Sequence, residues 1–298
     1  MTTLSAAPMT DALMGVYRKP PMELVRGAGV ELFDADGKGY LDFVAGIAVN
    51  ALGYGDAGLE RAFRDAMEGA IVHTSNLYRT SAGERLAERL VALSFADRVF
   101  FCNSGAEANE GAFKLARRWG RAQGGAAKHE ILALRGGFHG RLFGTLAATD
   151  RPQYRAPFRP LAGGISIAER DLDELDGALN PETVTAVIAE PVQGEGGVRV
   201  LDAKFLQDLR ALTRERGVLL ILDEIQCGYG RTGKLWAHEH ANVMPDIMTV
   251  AKPMAGGLPM GGILATREVA ETMQPGDHGT TFGGGPFVST VALHVLER

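Results

Sequence analysis

The order of apolar and polar residues predicts a chain in which strands and helices alternate from about residue 58 onward. Nearly continuous apolar runs, which are typical of buried strands, occur at residues 98–102, 129–134, 183–189, 218–222, 246–250 and 262–265. Apolar residues at helical spacing predict helices between them, including one over 106–119 and one over 286–298. Strands that are apolar on both faces favour a mostly parallel sheet between two layers of helices. The expected fold class is therefore α/β, with a three-layer α/β/α large domain.

The first part of the chain has a different pattern. Two short apolar runs, 30–33 and 40–43, flank the turn-forming sequence DADGKG at 34–39, which predicts a β-hairpin. We therefore divide the chain into an N-terminal segment, 1–57, that forms part of a small domain, and a large domain, 58–298.

Composition narrows the class of protein. Hydrophobic residues make up 46% of the chain, which can form a substantial core, and the net charge of −5 argues against nucleic-acid binding. The cysteines, Cys102 and Cys227, have no metal-ligand spacing and form no disulfide framework, so we expect no metal site. Residues 1–11 show no secretory pattern, and no apolar run reaches membrane-spanning length. These features predict a cytoplasmic protein.

Ligands of parallel α/β sheets bind at the carboxyl ends of the strands. Ser104, Gly105 and Ala106 follow one predicted strand and begin a helix, where backbone N–H groups and the helix dipole can hold a phosphate. An ordinary strand–turn–helix connection with Ser104 as the N-cap is the alternative.

Three other strand ends carry side chains that would suit a cofactor. Asp223 would place a carboxylate in a cleft, although a helix cap or a metal ligand would also fit this position. Phe138 and His139 could stack on an aromatic ring of a ligand, or they could form a buried pair. Lys252 could be a reactive amine or an ordinary solvated side chain. Pyridoxal phosphate (PLP) needs a lysine for an imine, a carboxylate beside its pyridine nitrogen and a phosphate cradle. The combination therefore predicts PLP.

Two other segments resemble a nucleotide-binding motif and a metal-binding motif, but each lacks a residue or a spacing that the motif requires. Residues 228–235, GYGRTGKL, nearly match a nucleotide-binding P-loop, but Leu235 replaces the Ser or Thr whose hydroxyl would hold Mg²⁺. His238, Glu239 and His240 lack the i, i+4 spacing that puts two metal ligands on one helix face, so we interpret them as a surface group.

The chain resembles the class III, fold-type I aminotransferases, and within them the acetylornithine aminotransferase group. The resemblance runs from about Leu24 to the last residue. It rests on the segments FCNSGAEAN at 101–109, GFHGR at 137–141, EPVQGEGG at 190–197, LDEIQ at 222–226, AK at 251–252 and HGTTFGG at 278–284.

The resemblance implies roles for individual residues. Lys252 and Asp223 would be catalytic, Lys252 carrying PLP as a Schiff base and moving the proton, and Asp223 pairing with the pyridinium nitrogen. Thr281 would reach the PLP of a partner subunit, which implies a homodimer. Besides Lys252, Asp223 and Thr281, the implied cofactor-binding residues are Ser104, Gly105, Ala106, Phe138, His139 and Gln226. The implied substrate-binding residues are Arg141, Glu190, Glu195 and Thr280.

The implied reaction moves the δ-amino group of N-acetylornithine to 2-oxoglutarate. Succinylornithine, ornithine or 4-aminobutyrate as the amino donor, a glutamate-1-semialdehyde aminomutase and an inactive truncated fragment stay open as alternatives. The chain departs from the family pattern at Ala106, where a Thr is usual, at Gly285, where an Asn is usual, and in the run KPMA at 252–255. The family's C-terminal small domain is also expected to be absent.

Overall fold

The computed structural model describes residues 12–18, 20 and 22–298. The prediction made for residues 1–11 lies outside this part of the chain. The strands are β1 (Leu24–Ala28), β2 (Glu31–Asp34), β3 (Gly39–Leu41), β4 (Arg98–Cys102), β5 (Glu130–Leu134), β6 (Ile165–Ala168), β7 (Val184–Ala189), β8 (Val192–Gln193), β9 (Arg199–Val200), β10 (Leu219–Asp223), β11 (Ile247–Val250) and β12 (Gly261–Ala265).

Helices cover most of the remaining chain. The α-helices are α1 (Ala45–Ala48), α2 (Ala57–Glu68), α3 (Ser81–Ala92), α4 (Gly105–Gly124), α5 (Phe143–Ala148), α6 (Pro152–Arg155), α7 (Leu172–Ala178), α8 (Ala203–Glu215), α9 (Arg267–Ala270) and α10 (Pro286–Glu297). All four residues of α1 have positive φ, so this element is a single left-handed turn. Short 3₁₀ turns occupy Gly125–Ala127, Ala156–Phe158, Ala237–His240 and Lys252–Ala255. No helix in the described ranges is long and apolar enough to cross a membrane.

Seven strands form the central sheet, in the order β4-β12-β11-β10-β7-β5-β6. β12 runs antiparallel to both of its neighbours, and the other pairs are parallel. The carboxyl ends of β4, β5, β7, β10 and β11 therefore lie at one edge. The expectation of a mostly parallel sheet is confirmed, and so is the fold class.

Successive side chains of the central strands point to opposite faces of the sheet, which explains the three layers. On β10, Leu219 and Ile221 pack in one buried cluster with helix α4, while Leu220 and Leu222 pack in a second cluster with residues of α7 and α8. Complete burial of each such side chain contributes roughly 1.5–3 kcal/mol of hydrophobic free energy. A third cluster joins α3 and α10 to β11 and β12. The sheet is thus covered on both faces, as the continuous apolar runs predict.

The N-terminal residues form a separate three-stranded antiparallel sheet. Its β2–β3 pair is the predicted hairpin, with Glu31 opposite Leu41, and the Asp34 carboxylate accepts from the N–H groups of Asp36 and Lys38 in the turn. The strand predicted at 40–43 ends at Leu41, because Asp42 instead caps the next turn by accepting from the N–H groups of residues 44 and 45. The boundary at residue 57 between two domains stays a prediction.

Candidate active site

A cavity of about 420 Å³ opens at the carboxyl edge of the central sheet. This volume lies within the range of roughly 300–1,000 Å³ that is typical of sites for small molecules and cofactors. Eleven of the thirteen predicted site residues line it: Ser104, Gly105, Ala106, Phe138, His139, Arg141, Glu190, Glu195, Asp223, Gln226 and Lys252.

The remaining two predicted residues do not line this cavity. Thr280 accepts a hydrogen bond at Oγ1 from Nδ2 of Asn103 at 3.0 Å, and its carbonyl accepts from Asn76. Thr281 is exposed, next to the exposed ring of Phe282. Neither threonine therefore lines the cavity of its own chain, although Thr280 contacts Asn103, which does.

Lys252 stands at the point where β11 gives way to a 3₁₀ turn, with Pro253 as the next residue. Burial lowers the pKa of its amine, and the negative charges of Asp223, Glu195 and Glu190 oppose that change only partly. Its Nζ has no hydrogen bond or ion pair to any residue that the structure describes. The amine is thus more easily neutral than an ordinary lysine, as a nucleophile requires.

Asp223, at the end of β10, holds a buried carboxylate with three hydrogen bonds. Its Oδ2 accepts from Nδ2 of Asn109 at 2.7 Å and lies 2.8 Å from Nδ1 of His139, while its Oδ1 accepts from the N–H of Ile225 at 3.1 Å. The residue is 3% exposed. These three partners hold the carboxylate in one orientation at the wall of the cavity.

Asn109 and Thr249 form a buried layer behind this carboxylate. Thr249 Oγ1 donates to Oδ1 of Asn109 at 2.7 Å, and Nδ2 of Asn109 donates both to Asp223 and to the carbonyl of His139. A flipped amide would turn its oxygen toward two acceptors, so the network fixes the amide in one orientation. Sequence analysis assigned no role to either residue. The available signals were the position of Asn109 one helical turn beyond the loop at 103–105 and its place at the end of the segment FCNSGAEAN.

His139 and Glu190 complete the buried polar wall. Burial alone would lower the pKa of His139, but its hydrogen bond to Asp223 and the charges of Asp223 and Glu190 raise it overall. Burial raises the pKa of Glu190 to about 7. Its Oε1 accepts from the N–H of Phe138 at 2.8 Å, which fixes the backbone of the segment that carries Phe138 and His139.

The N-terminus of α4 presents free backbone donors to the cavity. Ser104 is the N-cap, because its hydroxyl accepts from the N–H of Glu107 at 3.2 Å. The N–H groups of Gly105 and Ala106 have no acceptor in the described part of the chain, and both residues line the cavity. A Cβ on Gly105 would lie 2.8 Å from the Ile225 side chain, so a larger residue there would force Ile225 to shift. The capping and cradle interpretations of Ser104 are therefore compatible.

Gln226 packs tightly against the backbone of Gly194. A Cβ at Gly194 would lie 1.4 Å from Oε1 of Gln226, so the absence of a side chain at 194 sets the position of this amide. Arg141, at the mouth, has its guanidinium 3.8 Å from the ring centroid of Tyr154. Glu195, also at the mouth, is exposed.

These residues fit PLP in the chemistry of their donors and acceptors. The two free N–H groups of α4 suit a phosphate, the Asp223 carboxylate suits a protonated ring nitrogen, and the Lys252 amine suits the aldehyde. No cluster of possible metal ligands occurs among the described residues.

The two rejected motifs have structural roles elsewhere. In the segment resembling a P-loop, the N–H groups of Gly230, Arg231 and Gly233 donate to carbonyls within the loop, so they are not free to hold a phosphate. The interpretation of His238 as a surface residue is wrong. Its side chain is buried, and Nδ1 lies 2.7 Å from Oε1 of Glu224, because the carboxylate of Glu224 needs partners in the core.

Comparison with known proteins gives the family. The model of the aminotransferase class-III family matches residues 15–298. The chain belongs to the class III aminotransferases. It is 47% identical to the mitochondrial acetylornithine aminotransferase of Alnus glutinosa, over 96% of this chain and 64% of that protein. It is 46% identical to the acetylornithine aminotransferase of Methanocaldococcus jannaschii, over 95% of this chain and 71% of that protein.

Solved structures agree with this membership. The structure of N-acetylornithine aminotransferase from Stenotrophomonas maltophilia K279a superposes with a TM-score of 0.80 at 39% identity, and the match covers 94% of this chain and 69% of that one. Class III aminotransferases are PLP-dependent, so the expected family, fold type and cofactor are confirmed. The chain spans about two thirds of the length of these class III relatives.

Proposed function

We propose that this chain carries the cofactor site of a PLP-dependent aminotransferase that moves the δ-amino group of N-acetylornithine to 2-oxoglutarate. One observation carries the proposal: the Lys252 amine, the buried Asp223 carboxylate and the free N–H groups at the start of α4 face one cavity. Identity of 46–47% to two acetylornithine aminotransferases supports the choice of amino donor.

When bound, PLP supplies an electron sink for the substrate carbon that loses its proton. Lys252 would hold the cofactor through Nζ, and the same nitrogen, once released and neutral, would take the proton from that carbon and return it. Burial favours the neutral amine, because it penalises the ammonium form.

Asp223 would keep a positive charge on the ring nitrogen. Its carboxylate makes three hydrogen bonds, two of them with Asn109 and His139, so it cannot turn away from the cavity. Phe138, at the cavity wall, would pack on the ring face. Gly105 and Ala106 would bind the phosphate through their N–H groups, and Gln226 would contact the phenolic oxygen.

Residues at the mouth would bind the substrates. Arg141 carries a planar guanidinium that matches a carboxylate, and it would leave the ring of Tyr154 or bind while stacked on it. Glu190 and Glu195 line the same space and would contact the amino donor. The resemblance also assigns Thr280 to substrate binding, although it does not line the cavity of its own chain.

A second copy of the chain would complete the site. Large apolar side chains are exposed on this chain, including Phe43 at 93%, Leu77 at 82% and Phe282 at 64%, and exposed apolar patches are typical of subunit interfaces. Thr281 is next to the exposed Phe282, and by the family resemblance it would reach the phosphate of the partner subunit in such a homodimer. Light scattering of the purified chain tests the dimer.

The cofactor is tested by an absorbance spectrum with PLP before and after borohydride, for the parent chain, Lys252→Ala and Lys204→Ala. Lys204 is a matched control because its side chain is 76% exposed and lies on α8. A visible band that borohydride removes, and that only Lys252→Ala lacks, supports the proposal. The same band in Lys252→Ala would refute the role of Lys252.

The amino donor is tested by glutamate formation from 2-oxoglutarate. N-acetylornithine should be turned over faster than ornithine, succinylornithine or 4-aminobutyrate. Equal or faster turnover of one of these three would replace the proposed donor. A PLP band without any turnover would limit the chain to cofactor binding.

A further inference from the structure

A second cavity, of about 540 Å³, lies at the other end of helix α4 and is strongly basic. Five cationic side chains line it together with one carboxylate, that of Asp277; the cations are Lys114, Arg117, Arg118, Arg121 and Lys128. This cluster contrasts with the net charge of −5 on the whole chain.

The cavity is well separated from the candidate active site. The part of helix α4 that lines this cavity begins at Lys114, nine residues after Gly105, which corresponds to about 14 Å along the axis at 1.5 Å per residue. Ser104 caps the end at the carboxyl edge of the sheet, whereas Lys128 and His129 lie just before β5, at the opposite edge. A ligand here would not compete with one bound at Ser104.

Helical spacing brings four of the cations together. Positions 114, 117, 118 and 121 follow the i, i+3, i+4, i+7 pattern and share one face of α4. Three cations are held in place by backbone carbonyls. Lys114 donates to Asp277 at 2.9 Å, and Arg117 donates to Gly163 at 2.7 Å and to His129 at 3.1 Å. Lys128 donates to Pro181 at 2.7 Å and to Gly217 at 2.8 Å. The charged groups are therefore positioned before any ligand arrives.

The positive charge of these five side chains is only partly compensated by carboxylates. Arg118 pairs with Asp277 at 2.9 Å, and the charges of Asp277 and Glu110 also act on Lys114 and Arg117, respectively. Lys114, Arg117 and Lys128 nevertheless make no ion pair with a described carboxylate, and the guanidinium of Arg121 has no hydrogen bond in the described residues. Burial lowers the pKa of both Arg117 and Lys128. Carbonyl groups satisfy hydrogen bonds without cancelling charge, so an anion would lower the cost of burying these cations.

We propose that this cavity binds a small phosphate-bearing polyanion of the diphosphate class, with Arg117 and Arg121 as its principal contacts. Guanidinium groups bind phosphate through paired N–H donors, and more than one uncompensated cation calls for a ligand with more than one negative charge. The concave shape favours a small molecule over an extended nucleic acid.

Isothermal titration calorimetry with inorganic pyrophosphate tests the proposal on the PLP-saturated chain in about 0.15 M NaCl, where diffuse surface attraction is largely screened. One pyrophosphate should bind per chain. Arg121→Gln, which removes one charge-assisted contact at an exposed position, should weaken binding by about tenfold or more. Lys114→Gln should weaken it in the same direction.

Arg214→Gln is the matched control, since Arg214 is exposed in the last turn of α8 as Arg121 is in the last turn of α4. It should leave binding unchanged. Absent or non-saturable binding overturns the proposal, and so does equal weakening by Arg214→Gln or no weakening by Arg121→Gln. Tight binding of a single-stranded oligonucleotide without pyrophosphate binding would assign the surface to nucleic acid instead.

Discussion

Asn109, the fifth residue of α4, donates a hydrogen bond of 2.7 Å to Asp223, and both side chains are buried. Thr249 holds the other side of the amide. The helix whose N-terminus would bind the phosphate therefore also orients the carboxylate that would face the ring nitrogen, so the two ends of one cofactor depend on one element.

The first prediction concerns this bond. Asn109→Ala leaves the buried Asp223 carboxylate without one donor, and a hydrogen bond to a charged group contributes about 1.5–3 kcal/mol. We expect kcat/KM to fall by about tenfold or more, with a changed pH dependence of the PLP absorbance band. Thr249→Val keeps the Asn109 amide and removes only the hydroxyl that donates to it. This variant should have a smaller effect in the same direction. An unchanged band and rate in Asn109→Ala would show that His139 suffices.

The sequence predicted the elements whose physical signal is local. The strand before Asp223 is a run of apolar residues that ends in a carboxylate. The N-cap residue Ser104 and the start of its helix, Gly105 and Ala106, are consecutive in the sequence. The Asn109–Thr249 contact was not predictable in this way, because it joins residues 140 positions apart that meet only when α4 packs on β11. The burial of His238 was missed for the same reason. Its partner, Glu224, lies 14 residues away in the sequence, and the two side chains meet only when the loop between them is packed in the folded chain.

A second prediction uses the close approach of Gly194 to Gln226. Gly194→Ala must displace the Gln226 amide, because the new Cβ would overlap its Oε1. We expect weaker PLP binding, measured by equilibrium titration of the absorbance band. In the background of Gln226→Ala the overlap is gone, so Gly194→Ala should add little there. Additive losses in this double-mutant cycle would mean that Gly194 acts independently of Gln226.

A third prediction concerns the neutral amine of Lys252. Nearby carboxylates raise its pKa against the larger effect of burial, so Glu195→Gln should lower the pKa further. The midpoint of PLP attachment against pH, followed by absorbance, should then move to lower pH than in the parent chain. Glu182→Gln is a suitable control, because Glu182 is exposed and does not line the cavity. A midpoint that stays in place or moves upward would contradict this electrostatic account.

The fourth prediction concerns stability and pH. Burial raises the pKa of Glu190 to about 7, above its ordinary value of 4.5, so the folded state prefers the protonated acid. Stability from this group is complete below the unfolded pKa and is lost as pH rises through about 7, because ionisation then favours the unfolded chain. The total effect is roughly 3 kcal/mol at about 1.4 kcal/mol per pKa unit.

Glu190→Gln removes this ionisation and keeps an oxygen to accept from the N–H of Phe138. Thermal unfolding of the PLP-free chain between about pH 4.5 and 8.5 should therefore show a gain in Tm for the variant that grows as the pH rises. A constant difference between the two proteins across that interval would show that Glu190 keeps an ordinary pKa. A gain that shrinks with rising pH would mean that the carboxylate is stabilised in the fold, with the charge of His139 outweighing burial.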